Sequence, residues 1–440
     1  MSTDTPRRHI YLIGAGGVGM VWIADYALRM GWKVSGSDLG SSPNVIRLQA
    51  AGANIHVGVD AEAIPADVTE GVITAATTRS APSYPEFLEL QKRGLPIVKR
   101  SEWIGKLTRQ KFTICIAGAH GKTTTTAMVG WILEKAGLDP TVFVGGNMAA
   151  WDNATRIGES QYLVLEADEY DRSFHRFQAK MAVILNIDLD HTDYYTKGIA
   201  EIEHSYRRFL RNLPPKQGVV VAYGRDGRIR KVCKNFSYKF RWYDEAHLWP
   251  GVHVPQPGAH YLLNATAAAR IAHEVGVSHE IIKEALATFP GVGRRFEYLG
   301  TWNGTEVYDD YAHHPQEIKA LLQGLREKFP NKRITMIFQP HQKARTHALL
   351  SDFARAFDEN PPDQLILAPI YHVAGREDAI EISSDDLAKE MQSKNISYDL
   401  CVPHTLEELA REANTASQYA DVLIGVGAGS ISGLLHEWMA

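Results

Sequence analysis

The chain contains the stretch Phe112-Thr-Ile-Cys-Ile-Ala-Gly-Ala-His-Gly-Lys-Thr-Thr124, in which a compact apolar run leads straight into a glycine turn. The run Phe112–Ala117 is rich in strand-forming residues and predicts a buried strand. A helix is expected from about Thr125 to Ala136, and Gly137 is well placed as its C-terminal cap. The stretch therefore predicts a strand, a tight loop and a helix in immediate succession, the unit from which parallel α/β sheets are built.

The turn within this stretch has the composition of a phosphate-binding loop. Backbone amides of such a turn can surround phosphate oxygens, and Lys122 can reach the β- and γ-phosphates of a nucleotide. The hydroxyl of Thr123 can bind Mg²⁺. The usual pattern has a glycine at the position of Ile116, so this loop is a shortened variant. The turn predicts a site for a nucleoside triphosphate and its metal ion.

A second glycine-rich turn lies near the amino terminus, with the sequence Gly14-Ala-Gly16-Gly17-Val-Gly19. It follows an expected strand at His9–Ile13 and opens a helix that runs to about Met30. Glycines at these positions permit a tight turn and let a pyrophosphate approach the amides at the start of the helix. Asp38 follows about 20 residues later, where an acidic group can accept a hydrogen bond from a ribose hydroxyl. The motif predicts a nucleotide-diphosphate site, and either a dinucleotide cofactor or a UDP-sugar would fit it.

Acidic and polar residues follow the strands that are expected beside the phosphate loop. Glu166 ends an apolar run that begins at Tyr162, and Asp168 comes two residues later. Asn186-Ile-Asp-Leu-Asp-His191 follows the next apolar run, Met181–Leu185. Carboxylates at the ends of strands beside a phosphate loop are placed to hold magnesium directly or through water.

The composition is that of a globular protein whose anionic ligands must be bound by local sites. Lys and Arg total 47 against 51 for Asp and Glu, a net charge of −4, so the chain lacks the basic field of a nucleic-acid-binding protein. Its three cysteines are widely spread and its 18 histidines form no HExxH pattern, which argues against a disulfide framework and a zinc enzyme. No stretch approaches the ~18 apolar residues of a membrane-spanning helix. We therefore expect a cytoplasmic protein without nucleic-acid or membrane partners.

A length of 440 residues predicts about three domains. The alternation of short apolar runs with helical patterns predicts an α/β fold in three parts: a Rossmann-like domain over residues 1–110, a central ATPase-like domain with a parallel sheet over 111–290, and a C-terminal Rossmann-like domain over 291–440. Further strands are predicted at Trp32–Ser35, Gly71–Ala75, Ile97–Val98, Ile334–Phe338, Gln364–Leu367 and Val422–Gly425. Further helices are predicted at Ala265–Val275, Glu280–Thr288, Glu317–Phe329 and Leu406–Asn414. The region Tyr223–Gln256 shows no clear hydrophobic periodicity, so its secondary structure is not predicted.

Eight motifs, in order along nearly the whole chain, resemble those of the Mur ligase family. They are Gly14–Gly19 with Ser37-Asp38, Gly118–Thr124, Glu166–Asp168, Asn186–His191, Gly258-Ala-His-Tyr-Leu-Leu-Asn264-Ala, Gly291-Val-Gly-Arg-Arg295-Phe-Glu, Asp309-Asp310-Tyr-Ala-His-His314-Pro315, and Gln339-Pro-His341. Each motif alone is modest evidence, but eight of them in the order of the family are specific. The resemblance implies a three-domain ligase that uses ATP and Mg²⁺ to form an amide bond on a UDP-linked sugar.

The resemblance also implies roles for individual residues. The residues expected to bind the UDP-sugar in the first domain are Gly14, Gly16, Gly17, Gly19, Ser37 and Asp38. Those expected to bind ATP are Gly118, Gly121, Lys122, Thr123, Thr124, Asn264 at the adenine, Asp310 at the ribose, and Arg295 at the γ-phosphate. The expected magnesium ligands are Thr123, Glu166 and His191, and the expected catalytic residues are Lys122, Glu166, His191 and Arg295. The residues expected to orient the amino acid are His341 and Arg345.

Four features depart from the usual pattern of the family. Tyr206 aligns with a lysine that is carbamoylated in many members, in agreement with the branch that adds alanine. The stretch between His191 and Gly258 is shorter than is usual in the family. Gln342 stands where an arginine commonly follows the histidine, which leaves the amino-acid specificity open. Ser430 replaces an acidic residue, and its effect is not predicted.

Within the family, the motif Asp171-Arg-Ser-Phe174 and the segment Asn186–His191 favour the branch that joins L-alanine to UDP-N-acetylmuramate through an acyl phosphate. A ligase that attaches the tripeptide L-Ala-γ-D-Glu-meso-diaminopimelate to the same nucleotide sugar is the alternative. A nicotinamide-dependent dehydrogenase would explain only the first glycine turn, and a non-catalytic nucleotide-binding protein would not need Lys122, Thr123 and Glu166. The expected partners are the small-molecule substrates, and the sequence does not decide between a monomer and a homodimer.

Overall fold

A computed structural model describes residues 8–189, 194–372, 380–394 and 397–439 of the chain. The chain divides into two compact units. The first consists of the residues up to His253 together with Leu263–Pro290, and the second of Val254–Leu262 together with Gly291–Ala440. The first unit contains two sheets and the second contains one.

The first sheet has five parallel strands in the order β3-β2-β1-β4-β5. Its strands are β1 (His9–Ile13), β2 (Lys33–Asp38), β3 (Asn54–Val57), β4 (Glu70–Ile73) and β5 (Ile97–Lys99). Its helices are α1 (Val18–Arg29), α2 (Pro43–Ala50), α3 (Tyr84–Lys92) and α4 (Arg100–Thr108). Because the strand order reverses at β1, the glycine turn that follows β1 lies at the crevice where ligands bind in open α/β sheets.

The second sheet has seven strands in the order β12-β11-β10-β6-β9-β7-β8, and only β8 is antiparallel to its neighbour. Its strands are β6 (Phe112–Ala117), β7 (Thr141–Met148), β8 (Asn153–Arg156), β9 (Tyr162–Glu166), β10 (Met181–Ile184), β11 (Val219–Tyr223) and β12 (Lys239–Tyr243). The helices along this part of the chain are α5 (Lys122–Lys135), α6 (Ile199–Leu210), α7 (Gly227–Cys233), α8 (Ala259–Glu274) and α9 (His279–Ala287). Since β6 lies between β9 and β10, the loops after these three parallel strands emerge at one edge of the sheet.

The third sheet has six strands in the order β13-β14-β18-β15-β16-β17, in which only β13 is antiparallel to its neighbour. Its strands are β13 (Glu297–Trp302), β14 (Thr305–Asp310), β15 (Ile334–Phe338), β16 (Gln364–Leu367), β17 (Asp399–Cys401) and β18 (Val422–Val426). Its helices are α10 (Pro315–Lys328), α11 (Lys343–Ala348), α12 (Leu350–Glu359), α13 (Ser384–Gln392), α14 (Leu406–Ala416) and α15 (Ile431–Met439).

The structure confirms the α/β fold with three largely parallel sheets, one for each predicted domain, although the first two sheets lie in one compact unit. The domain limits at residues 110 and 290 stay a prediction. The helix after the phosphate loop begins at Lys122 rather than Thr125. The region Tyr223–Gln256, for which no structure was predicted, contains α7 and the edge strand β12. None of the helices in the described residues combines the length and the apolar character needed to cross a membrane.

Candidate functional site

The phosphate loop joins the carboxyl end of β6 to the start of α5. Gly118 and Gly121 have φ angles of +154° and +81°, which other residues rarely adopt. A Cβ atom at Gly121 would lie 2.7 Å from Oδ1 of Asn264, so this predicted adenine contact lies directly beside the loop. The amide of His120 donates to Oδ1 of Asn186 at 2.8 Å, and Nδ2 of Asn186 donates to the carbonyl of His120 at 3.0 Å. Asn186 therefore fixes the middle of the loop.

Lys122 lies among acceptors at the first position of α5. Its Nζ donates to the carbonyl oxygen of Gly118 at 2.6 Å and to Oε2 of Glu169 at 3.0 Å, and Oδ1 of Asp168 lies 3.8 Å away. Burial lowers the pKa of Lys122, but the carboxylates of Glu169 and Asp168 outweigh this effect and hold the pKa above its ordinary value. The loop thus carries a permanently charged ammonium group at the place predicted for the phosphates.

Glu169 is a functional candidate that the sequence analysis missed. It is 3% exposed, and its backbone carbonyl accepts a hydrogen bond from the hydroxyl of Tyr195 at 2.6 Å. The sequence signal was the acidic run Glu166-Ala-Asp-Glu169. This run indicates three candidate carboxylates but not which of them contacts Lys122. Only the fold shows that Glu169, rather than Asp168, makes the shorter contact with Lys122.

Glu166 lies at the end of β9, where its carboxylate meets the phosphate loop. The carboxylate accepts hydrogen bonds from the backbone amide of Gly145 and from the hydroxyl of Thr123. Burial raises the pKa of Glu166, and although these hydrogen bonds and the charge of Lys122 lower it, the pKa stays above its ordinary value. A Cβ atom at position 145 would lie 2.7 Å from Oε2 of Glu166, so only glycine leaves room for the carboxylate here.

The pairing of Thr123 and Glu166 fits a magnesium ion that arrives with a nucleotide. Magnesium prefers oxygen ligands and is usually held by one or two carboxylates together with phosphate oxygens and water. Among the described residues no group of three or more His, Cys, Asp and Glu side chains is arranged to hold a metal. His191, the third predicted ligand, lies outside the described residues. The hydroxyl and the buried carboxylate therefore suit a metal that receives its other ligands from phosphate.

The glycine turn of the first domain is held by the two residues that end β2. The amides of Gly14 and Ala15 both donate to the carbonyl of Ser37 at 2.9 Å. The amide of Gly16 donates to Oδ2 of Asp38 at 2.8 Å. The predicted UDP-sugar residues in these two segments thus contact one another, and Asp38 uses one carboxylate oxygen to shape the turn.

Two further residues from distant parts of the sequence contact this turn or the end of β2, and the sequence analysis missed both. A Cβ atom at Gly19 would lie 2.3 Å from Nη1 of Arg100, so the guanidinium group passes directly over this glycine. Glu86 is fully buried and accepts a hydrogen bond from the hydroxyl of Ser37 at 2.5 Å. Gly17 precedes the first residue of α1 and provides no side-chain cap. The start of α1 is therefore open to an anionic ligand.

Asp310 and Arg295 lie together in the second unit. Oδ2 of Asp310 accepts from the amide of Phe296 at 2.7 Å, and Oδ1 accepts from the amide of Ala312 at 2.8 Å. Burial raises the pKa of Asp310 to about 6, against the opposing charge of Arg295. The guanidinium group of Arg295 lies 4.9 Å from the ring centre of Tyr311. Asp310 thus shapes the backbone around Arg295, and its predicted contact with ribose stays a prediction.

The two residues predicted to orient the amino acid contact each other. Nη1 of Arg345 lies 3.3 Å from Nδ1 of His341, and the ring of His341 stacks on Tyr371 with ring centres 5.5 Å apart. Gln342, which precedes the first residue of α11, has a φ of +70°, a value that residues other than glycine seldom adopt. This unusual backbone turns the chain between His341 and Arg345.

The structure gives two of the unusual positions a structural role. The hydroxyl of Ser430 accepts a hydrogen bond from Nε2 of Gln339 at 3.1 Å, so a neutral side chain ties this loop to the end of β15. Tyr206 is 1% exposed, and its ring meets Phe174 edge to face with ring centres 5.3 Å apart. Tyr206 therefore fills the core on the buried face of α6.

The predicted residues form separate groups in the two units. In the first unit the phosphate loop lies with Asn264, Thr123 and Glu166, and the glycine turn lies with Ser37 and Asp38. In the second unit Arg295 lies with Asp310, and His341 lies with Arg345.

Three family models match consecutive parts of the chain. The Mur ligase family catalytic domain matches residues 9–112, the Mur ligase middle domain matches 116–247, and the Mur ligase glutamate ligase domain matches 294–429. Similar proteins include the UDP-N-acetylmuramate–L-alanine ligase of Geobacter sulfurreducens, 36% identical, with 96% of this chain and 95% of the relative covered. The enzyme of the same name from Lawsonia intracellularis is 37% identical, with 97% of each chain covered.

Solved structures show the same architecture. The UDP-N-acetylmuramate–alanine ligase of Thermotoga maritima matches with a TM-score of 0.78 and 25% identity over 98% of both chains. A murein peptide ligase from Psychrobacter arcticus matches with a TM-score of 0.71 and 21% identity, also over 98% of both chains, and this likeness concerns the fold.

Proposed function

The chain belongs to the Mur ligase family, and on that premise we propose that it joins L-alanine to UDP-N-acetylmuramate in an ATP-dependent reaction. The observation that carries the proposal is the likeness to UDP-N-acetylmuramate–L-alanine ligases over nearly the whole of both chains. The contacts among Lys122, Thr123 and Glu166 supply the phosphate-handling chemistry that such a ligase needs.

The reaction must first activate a carboxylate, because a carboxylate is a poor electrophile. Transfer of the γ-phosphoryl group of ATP to a carboxylate oxygen gives an acyl phosphate and ADP. The amino nitrogen of L-alanine then attacks the acyl carbon, and inorganic phosphate leaves. An α-amino group has a pKa near ~8, so a useful neutral fraction exists at physiological pH without a strong base.

The residues of the phosphate loop offset the charge that accumulates when two anions meet. Lys122 faces the carboxylates of Glu169 and Asp168, and we assign it to the phosphates of ATP. Thr123 and Glu166, with His191 as a further ligand, would hold magnesium, which would supply charge neutralisation at the transferring phosphoryl group. Arg295 contributes a second cation, and Asn264 contacts the adenine.

The substrates other than ATP bind to sites that their charges define. The diphosphate of the nucleotide sugar binds at the glycine turn Gly14–Gly19, where the start of α1 provides amides. The carboxylate of L-alanine binds Arg345, because a guanidinium group can form paired hydrogen bonds with a carboxylate. His341 holds Arg345 in place. The enzyme works in the cytoplasm on these small molecules, without nucleic-acid or membrane partners, as a monomer or a homodimer.

Phosphate release in the presence of UDP-N-acetylmuramate and ATP tests this proposal across a panel of amino substrates. We expect L-alanine to support turnover, and glycine and L-serine to support less. The tripeptide L-Ala-γ-D-Glu-meso-diaminopimelate is the informative comparison, since turnover with the tripeptide alone would contradict the proposed substrate. Omission of UDP-N-acetylmuramate is the control for background ATP hydrolysis.

A further inference from the structure

Trp22 connects the helix that follows the glycine turn to the sheet that carries the phosphate loop. It lies on α1 and is 7% exposed. Its ring stacks on Phe143 of β7, with ring centres 5.4 Å apart and ring planes at 5°. Its Nε1 donates a hydrogen bond to the backbone carbonyl of Val144 at 2.9 Å. Trp22 therefore makes two separate contacts with β7, one apolar and one polar.

The carbonyl that accepts from Trp22 belongs to the same peptide group as the amide that holds Glu166. The carbonyl of Val144 and the N–H of Gly145 are the two ends of one planar unit, and that N–H donates to the carboxylate of Glu166. Because the unit is rigid, fixing its oxygen also fixes the direction of its N–H. Hydrogen bonds in such a chain also polarise and strengthen one another.

The carboxylate of Glu166 has little freedom to compensate if this peptide group turns. A Cβ atom at Gly145 would lie 2.7 Å from Oε2 and 2.8 Å from Oε1 of Glu166, so the carboxylate lies directly against the backbone of β7. Its other hydrogen bond comes from Thr123, the second proposed magnesium ligand. The orientation of the peptide group therefore decides where the carboxylate points.

We propose that Trp22 is a positioning residue for magnesium: through the Val144–Gly145 peptide group it orients Glu166 as a ligand of the metal that binds with ATP. The inference rests on the proposed function, because it assumes that Glu166 binds magnesium. By this inference, a residue of the UDP-sugar domain acts on the ATP site. The stack on Phe143 and the hydrogen bond to Val144 are separate contacts, and only the hydrogen bond reaches the peptide group that holds Glu166.

Trp131 offers a matched control for loss of an indole N–H. It is 9% exposed on α5, and its Nε1 donates to the backbone carbonyl of Ala285 at 2.9 Å. Substituting phenylalanine for either tryptophan removes one buried hydrogen bond of the same kind and length. Only Trp22→Phe removes the hydrogen bond to the peptide group that holds Glu166.

The experiment measures binding of the non-hydrolysable analogue AMPPNP to the full chain by calorimetry, at a series of magnesium concentrations and in EDTA. We expect Trp22→Phe to raise the magnesium concentration for half-maximal binding by about tenfold, the size of effect typical of residues that orient metal ligands. Binding in EDTA should be unchanged. Trp131→Phe should leave the magnesium dependence as in the unaltered chain, and thermal melting checks that each variant is folded.

Two results would overturn the inference: a magnesium dependence in Trp22→Phe equal to that of the unaltered chain, or an equal shift in Trp131→Phe. If Trp22→Phe does not fold, Phe143→Leu removes the stacked ring and keeps the hydrogen bond from Trp22 to Val144. Its magnesium dependence should be that of the unaltered chain, and a shift of about tenfold there would refute the inference. If the unaltered chain binds AMPPNP without any response to magnesium, the proposed function fails, and the inference fails with it.

Discussion

Single residues at the phosphate loop carry most of the charge that a triphosphate would meet. The ammonium group of Lys122 faces Glu169 and Asp168. We predict that Lys122→Ala lowers the rate of phosphate release by about 10²-fold or more, because it removes the cation that stabilises charge on the transferring group. A steady-state assay at saturating substrates measures this loss.

Lys135→Ala is the control for that substitution. Lys135 ends the same helix, and its Nζ lies 4.1 Å from the ring centre of Trp131, so it contacts the surface of α5 rather than the loop. Its removal should leave the rate within about twofold, as expected for a surface position. Near-normal turnover in Lys122→Ala would remove the assignment of the phosphate loop.

At this scale the sequence predicts those residues whose chemistry depends on local spacing. Lys122 and Thr123 follow a strand and a glycine turn at fixed distances, and Glu166 ends an apolar run, so each can be found without a structure. Arg100 contacts the glycine turn and Glu86 contacts Ser37 beside it, both from far along the chain, and no local pattern marks them. Their positions depend on the packing of α3 and α4, which spacing does not encode.

Among the elements, the turn from β6 to α5 depends on glycine at a single position. Gly121 has a φ of +81°, and a Cβ atom there would lie 2.7 Å from Oδ1 of Asn264. We predict that Gly121→Ala raises the KM for ATP by about tenfold or more, because the added methyl group displaces Asn264 and strains the loop. The backbone strain alone costs roughly 1–2 kcal/mol. Initial rates over a range of ATP concentrations give the KM.

Gly137→Ala is the control that separates the backbone strain of an alanine at positive φ from a direct effect on the nucleotide site. Gly137 follows α5 with a φ of +73°, and apart from its chain neighbours no heavy atom of the described residues lies within 4 Å of the position a Cβ would take. This variant should lose stability by about the same 1–2 kcal/mol while its KM for ATP stays unchanged. A rise in KM of equal size in both variants would show that the effect of Gly121→Ala is not local to the nucleotide site.

Strands such as β6 and β15 were predicted from their continuous apolar runs, but β11, which has a similar run at Val219–Tyr223, was missed. The sequence analysis missed β7 because Gly145-Gly146 within it resembles a turn, although the first of these glycines makes room for Glu166. It also missed β12, which lies at the edge of its sheet and includes Lys239 and Arg241. An edge strand buries fewer residues, so its pattern is weaker.

Over the whole molecule, partly buried histidines make stability depend on pH. Burial lowers the pKa of His175 to about 4 and that of His260 to about 4. Between pH ~6.5 and ~4 the unfolded chain binds protons that the folded chain does not, so stability falls as the pH falls. We predict that this loss is smaller in His175→Gln by on the order of 1–3 kcal/mol, measured by urea unfolding at pH 7 and pH 4.5.

The neutral glutamine in this variant retains a donor for the carbonyl of Ser205, which accepts from Nε2 of His175 at 3.0 Å. Burial also raises the pKa of Asp310 to about 6. Over part of the same pH range this carboxyl makes stability rise as the pH falls, the opposite of the effect of the histidines. This effect of Asp310 on stability is the same in the unaltered chain and in His175→Gln, so it cancels when their losses of stability are compared. An equal loss of stability in the two proteins would contradict the prediction.

The division into three α/β domains was predictable because each sheet is built from one continuous part of the sequence. Contacts between distant segments were not, since they depend on how helices cross the sheets. Asn264 was assigned to the ATP site only through the family resemblance, and the structure places it beside Gly121. The connection from α1 to Glu166 through Trp22 has no counterpart in any local motif.

The interleaved segment Val254–Leu262 belongs to the second unit, although Leu263–Pro290 returns to the first. Within that segment Tyr261 is 3% exposed, and the carbonyl oxygen of Pro257 lies so near α10 that a Cβ atom at Gly324 would be 2.9 Å from it. In a chimera spliced at a single junction near residue 290, the segment Val254–Leu262 would come from the parent that supplies the first unit, although it belongs to the second unit. Grafting the last third of the chain onto another ligase requires a second, shorter donor piece.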